Sequence, residues 1–297
     1  MLLWEHRLFL YNGLPERSDP EILLETVVIN MEATVRLRKD LPSATIIISR
    51  GQRRNALSKT MIQQVREALE DFQQEKSIRA IILTGSGDYF SSGTDLQELA
   101  TELKQDSNGL IQPEVMQQWH EDIQAMNELL ETMLRLPKPI IAAVNGPALG
   151  FAAALVLAAD MVVATRTATL AWPETRWGLA PGLSAPLLSR RVGPRRAAQL
   201  LLGGEAIESD QGLQLGLIDQ VVDDSLLWAH CQEMAKRSAA LSPIATSITK
   251  RLLNETIGES LFPELAVGAA NTAASRTTLD AVEGIQAFVQ KRSPQWP

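Results

Sequence analysis

Side chains that usually announce enzyme chemistry are scarce here: the 297-residue chain has three histidines, His6, His120 and His230, and one cysteine, Cys231. The histidines are scattered, none stands in a spacing such as H-E-x-x-H, and no Cys/His cluster exists, so no metal site is expected. No G-x-S-x-G elbow marks a serine nucleophile, and neither G-x-G-x-x-G nor G-x-x-x-x-G-K-[ST] is present to cradle nucleotide phosphates. Cys231 falls in a helical pattern and reads as a buried structural thiol. What remains is chemistry done by carboxylates and by the backbone.

Backbone chemistry has two candidate places. The segment Asp88-Tyr-Phe-Ser-Ser-Gly-Thr-Asp-Leu96 follows a short buried strand and precedes helical residues, and Asn145-Gly-Pro-Ala-Leu-Gly-Phe151 does the same after the next strand. At a strand-to-helix turn the first helical N–H groups have no internal acceptor. Two such turns on neighbouring strands could aim two amides at one oxygen, forming an oxyanion hole. Tight connections of this kind also need glycine for purely structural reasons, and each turn alone fits that reading.

The elements that must position these turns can be read from periodicity. Thr26–Leu37 and the isoleucine-rich Ala44–Ser49 read as strands on either side of a turn at Lys39–Ser43. A helix is expected from Ser58, its N-cap, with Met61, Ile62, Val65, Ala68, Leu69 and Phe72 on one face. Strands at Ala80–Thr84, Ile140–Val144 and Met161–Ala164 alternate with a long helix marked by Val115, Trp119, Ile123, Met126, Leu130 and Met133 and with a helix from Gly150. This alternation implies an α/β fold with a largely parallel sheet. From Pro181 the chain reads as nearly all helix, apart from a short strand at Leu217–Val222.

The composition is that of an ordinary globular protein, with 45% apolar and 21% charged residues. A formal net charge of -7 argues against general affinity for nucleic acid. With one cysteine no internal disulfide can form, which leads to the expectation of a cytoplasmic protein. The most apolar stretch, Ile140–Ala159, is interrupted by Asn145, Gly146 and Pro147, so no membrane span is expected. The N-terminal run carries Glu5, His6 and Arg7 and is not read as a signal peptide.

Several spaced segments resemble the signatures of the crotonase (enoyl-CoA hydratase/isomerase) superfamily. They are Arg54-Asn-Ala-Leu-Ser58, Phe90-Ser-Ser-Gly-Thr-Asp-Leu96 and Lys138-Pro-Ile-Ile-Ala-Ala-Val-Asn-Gly-Pro-Ala-Leu-Gly150. Ala158-Ala-Asp160, Pro173-Glu174, Gly178-Leu-Ala-Pro-Gly182 and Glu283–Arg292 continue the series in order. The resemblance implies a crotonase-like ββα spiral core with a C-terminal helical trimerisation module. The expected division is an N-terminal extension over residues 1–24, the spiral core over 25–205 and the helical module over 206–297.

The same resemblance implies a site. The backbone N–H groups of Thr94 and Phe151 would form the oxyanion hole, and Glu174 would be the catalytic acid/base. Backbone around Ser92 would meet the CoA adenine, while Arg53 or Arg54 and Lys291 would face CoA phosphates. The partner would be an acyl-CoA thioester, with no cofactor beyond the coenzyme A of the substrate, and the assembly a homotrimer or a dimer of trimers. The family's first hydratase carboxylate falls at Ala154, and Gly182 replaces the aspartate of certain variants. One remaining carboxylate suits an enoyl-CoA isomerase of fatty-acid or related metabolism, with Trp172, Trp177 and Phe151 supplying an apolar setting. A hydratase or other lyase or hydrolase using Glu174, and a catalytically silent binding protein, are the alternatives.

Overall fold

The computed structural model describes residues 34–104, 111–256 and 260–296. The expected N-terminal extension and the start of the run expected from Thr26 lie outside the described residues. In chain order the elements are β1 (Val35–Asp40), β2 (Ser43–Ile48), α1 (Lys59–Gln74), β3 (Ala80–Gly85), α2 (Leu96–Glu102), α3 (Pro113–Arg135), β4 (Ile140–Val144), β5 (Ala148–Leu149), α4 (Phe151–Ala158), β6 (Met161–Thr165) and β7 (Thr169–Ala171). There follow α5 (Ser184–Val192), α6 (Pro194–Gly203), β8 (Ile207–Glu208), α7 (Ser209–Gln214), β9 (Gln220–Val222), α8 (Leu227–Ala239), α9 (Pro243–Arg251), α10 (Leu261–Arg276) and α11 (Leu279–Gln290).

The main sheet has the order β1-β2-β3-β4-β6-β9. Only β1 and β2 are antiparallel; every later pair is parallel. Their ladder runs to Asp40↔Ser43, so Lys39 and Asp40, expected in the turn, belong to the strand. These charged residues are tolerated because β1 is an edge strand. Side chains of the central strands alternate between two faces. Ile81, Leu83, Ile140, Ala142 and Val144 enter the large core under α1, α3 and α4. Ile82, Ile141, Ala143 and Val163 point the other way, onto Leu227, Cys231 and Met234 of α8. Parallel strands covered on both faces read as unbroken apolar runs, as β4 does.

Helix α1 begins as expected: the Ser58 hydroxyl accepts the Met61 N–H at 3.3 Å, and all six residues of the anticipated face are buried. Helix α4 is buried on every side. Three short elements escaped the periodicity reading, β5, β7 and β8, which together form a second small sheet. The strand expected at Leu217–Val222 is confined to Gln220–Val222. Ahead of it, the Asp219 carboxylate accepts the Val162 N–H at 2.7 Å and so docks this segment on β6. A third cluster, containing Leu99, Val115, Trp119, Val282 and Ile285, ties α11 to α2 and α3.

Candidate active site

The turn after β3 is held by one buried side chain. Asn55 donates from Nδ2 to the carbonyls of Ser86 at 2.8 Å and Tyr89 at 2.7 Å, and its Oδ1 accepts the Arg50 N–H at 2.8 Å. Leu57 donates its N–H to the Gly93 carbonyl at 2.8 Å, and Asp95 donates its own to the Leu57 carbonyl at 3.1 Å. The Arg54–Ser58 segment is thus the frame that fixes the backbone on both sides of Thr94. Asp95 then caps α2, its carboxylate accepting Gln97 N–H, Glu98 N–H and Arg50 Nη1.

The turn after β4 is stitched to this frame. Ser91 donates to the Pro147 carbonyl at 3.2 Å and Leu149 donates to the Ser91 carbonyl at 3.0 Å. Gly93, at φ +83°, approaches so closely that a Cβ there would strike the Leu149 carbonyl and lie 3.3 Å from Phe151 N. The Phe151 amide opens α4, and the Thr94 amide stands beside the same crossing. Among the described residues neither N–H has an acceptor.

Glu174 reaches this place from a 3-10 turn, Pro173–Trp177. Glu174 as a residue keeps some solvent contact, but its Oε2 has no accessible surface and no hydrogen-bond partner. Burial raises the carboxyl pKa to about 7, opposed by a hydrogen bond from its own backbone. Trp177 packs edge-on against Phe288 of α11, with centroids 5.2 Å apart, and both line the space in front of the acid. Phe151 lines it too, whereas Trp172 is sealed in the core and does not.

That space is a cavity of about 750 Å³. Arg53, Arg54, Ser92, Thr94, Phe151, Glu174 and Lys291 all border it, so the chain brings every sequence-derived site residue to one cleft. Arg54 lies over the Tyr89 ring at 5.5 Å, and Lys291 caps α11 in a left-handed conformation. Arg53, Arg54 and Lys291 are exposed and form a cationic rim. One other carboxylate borders the cavity among the described residues, Asp95, and it is already engaged.

The sequence pattern of the enoyl-CoA hydratase/isomerase family matches residues 43–297. The chain belongs to that family. Relatives within it include the 2,3-dehydroadipyl-CoA hydratase of Escherichia coli, 33% identical over 84% of this chain and 93% of that enzyme. The 1,2-epoxyphenylacetyl-CoA isomerase of the same organism is 31% identical over 85% of this chain and 94% of its own length. Among solved structures, an enoyl-CoA hydratase/isomerase from Xanthobacter autotrophicus Py2 superposes with a TM-score of 0.78 at 26% identity, covering 89% of this chain and 99% of the other. The architecture is the crotonase fold.

Within this enoyl-CoA hydratase/isomerase family member, two departures acquire a physical setting. Ala154 lies fully buried in the core of α4 and does not border the cavity. At Gly182 a Cβ would collide with the Gly268 carbonyl and come within 2.5 Å of Thr272 Oγ1, so that position accepts no side chain. His120 is exposed, His230 pairs with Gln220, and neither borders the cleft; His6 lies outside the described residues. Burial pushes the Cys231 thiol up to about 12, which makes it inert. The described residues contain no group of three potential metal ligands and no helix long and apolar enough to cross a membrane.

Sequence reasoning missed one functional candidate. Behind Thr94, Phe151 and Glu174 lies a smaller cavity of about 30 Å³, bordered by Met126, Leu183, Ser184, Thr272 and Arg276. Arg276 ends α10 and is only 3% exposed. At the end of an Ala-Ser-Arg-Thr segment it reads as a solvated helix terminus, and no pattern in the sequence signals its burial.

Proposed function

We propose that this family member is an enoyl-CoA isomerase, shifting the double bond of a 3-enoyl-CoA to the 2,3 position with Glu174 as the single acid/base. The observation that carries this reading is a carboxyl with one unpartnered oxygen sharing a cavity with two amides that have no acceptor among the described residues, where the other carboxylate is engaged elsewhere. The thioester oxygen would accept from the amides of Thr94 and Phe151. Glu174 would take a proton from C2, so that the C–H electron pair becomes part of a dienolate and negative charge moves to the oxygen. The same carboxyl would return the proton at C4, leaving the double bond between C2 and C3. Each amide aimed at that oxygen contributes roughly 3–4 kcal/mol to lowering the barrier. A carboxyl titrating near 7 is matched to both halves of the shuttle.

The cationic rim of Arg53, Arg54 and Lys291 suits the phosphates of coenzyme A, with the Ser92 backbone beside the adenine. Coenzyme A enters as part of the substrate, and the reaction as written needs no further cofactor. A homotrimer or dimer of trimers is part of the proposal.

Hydration of a 2-enoyl-CoA is the second reading, favoured by the name of the Escherichia coli hydratase. It asks Glu174 alone to position and activate water, because Ala154 offers no acid. Absorbance at the conjugated thioester band separates the two. A rise with 3-enoyl-CoA supports the isomerase; a fall with 2-enoyl-CoA and none of the first change supports the hydratase. Failure of both despite acyl-CoA binding ends both readings.

A further inference from the structure

Arg276 is buried and, among the described residues, forms no ion pair. Among the described residues its Nε and Nη1 have no hydrogen-bond partner, and Nη2 reaches only Met126 Sδ at 3.9 Å. The carboxylates near enough to act on it, Asp122 and Glu102, are both bound by Lys59, at 2.8 and 2.6 Å. An arginine in the last turn of a helix ordinarily lies back over the final carbonyls or into water. Here it turns inward, to the wall of the small cavity behind Glu174. A guanidinium keeps its charge when buried, so leaving it unpaired is costly unless an anion completes the site.

The small cavity meets the large one at Thr94, Phe151, Glu174 and Leu179, so an acyl group held on the two amides would point its far end toward Arg276. A volume of about 30 Å³ takes a compact polar terminus and not a long hydrocarbon tail. From the orphaned guanidinium and the small cavity it borders, we infer that the substrate is a short acyl-CoA ending in a carboxylate, with Arg276 as the residue that selects it. This rests on the acyl-CoA reading of the same site and deepens it by naming the substrate class. Arg276 acts on specificity and not on the acid: burial, not its charge, dominates the pKa of Glu174.

The test compares pairs of thioesters of six to eight carbons that differ only in ending in a carboxylate or a methyl group. Binding of the saturated pairs is measured by calorimetry, and isomerisation of the 3-enoyl pairs by absorbance. The wild-type protein is expected to bind a carboxylate-ended thioester about 10- to 100-fold more tightly than its methyl-ended twin at one or more lengths. Arg276→Met, which keeps length and packs against Met126, should abolish that preference and leave the methyl-ended thioester bound as well or better; Arg276→Lys should keep part of it. Equal wild-type affinities at every length, or a preference that survives Arg276→Met, overturns the inference. The wild-type comparison stands even where a variant fails to fold. Binding preference without isomerisation would sink the isomerase reading alone, and isomerisation without preference would sink the Arg276 assignment alone.

Discussion

Gly150 and Glu174 stand in direct apposition: a Cβ on Gly150 would lie 3.2 Å from Oε1 of the acid and 3.4 Å from its Cδ. Gly150 also has φ +56° and ψ -124°, a conformation closed to L side chains. Gly150→Ala is therefore expected to displace both the carboxyl and the neighbouring Phe151 amide. Activity should fall at least about tenfold and stability by about 1–3 kcal/mol. Steady-state kinetics alongside denaturant melts check this; wild-type kinetics in the variant would mean the apposition has no bearing on turnover.

On the proposed isomerase reading, Glu174→Gln removes the proton shuttle and keeps the shape. Isomerisation is expected to fall by about 10²–10⁴-fold while the affinity for a saturated acyl-CoA changes little. A rate near that of the wild type would refute the assigned role.

The raised pKa of Glu174 gives two pH effects of defined sign. In the proposed role of base the group must be ionised, so kcat/KM should climb with pH and level off above about 7. For stability, the folded state holds the proton more tightly than an ordinary carboxyl at 4.5 does. Between about 4.5 and 7 the native protein therefore binds more protons than the unfolded chain, and stability falls as pH rises through that window. Glu174→Gln lacks this penalty. It should be more stable than the wild type by roughly 1–3 kcal/mol at pH 8, a difference that vanishes by about pH 4. Melting curves at both pH values decide the matter.

Lys250 of α9 is buried and forms an ion pair at 2.6 Å with Asp160, whose Oδ2 also accepts the Ile140 N–H at 2.8 Å. The same ammonium donates to the Lys138 carbonyl at 3.2 Å, so α9 is pinned to the start of β4. Burial lowers the Lys250 pKa and Asp160 opposes that shift. Lys250→Ala is expected to cost about 2–4 kcal/mol, with part recovered in combination with Asp160→Asn, as urea titrations would register.

Asn55→Ala removes five hydrogen bonds, three of them short, from a buried site and should cost about 2–4 kcal/mol. Its larger consequence is expected in kcat, because the frame beside Thr94 loosens. An unchanged kcat in folded protein would remove Asn55 from the account of the proposed oxyanion hole.

What could be read from the chain follows from how local each signal is. Ser58 and its helix were legible because a cap and one apolar face lie within a few turns. Thr94, Phe151 and Glu174 lie far apart in sequence, and only the spaced family-like segments marked them as one cleft. The strand limits at Lys39 and Asp40 were hidden because edge pairing, not composition, keeps them extended. The strand Ile207–Glu208 is too short to carry a period. Arg276 was illegible for a deeper reason: an unmet hydrogen-bonding group becomes visible only when the packing of Met126 and Thr272 around it is known.

The mutual approach of Gly182 and Gly268 has an evolutionary consequence. A side chain on either residue would run into the carbonyl of the other. Replacing Gly182 by aspartate, a single codon change, would force α10 away from the loop that follows the Glu174 turn. Single substitution at that position is therefore a closed route to a second acid, and lineages descending from this chain would have to move a helix before they could change the chemistry.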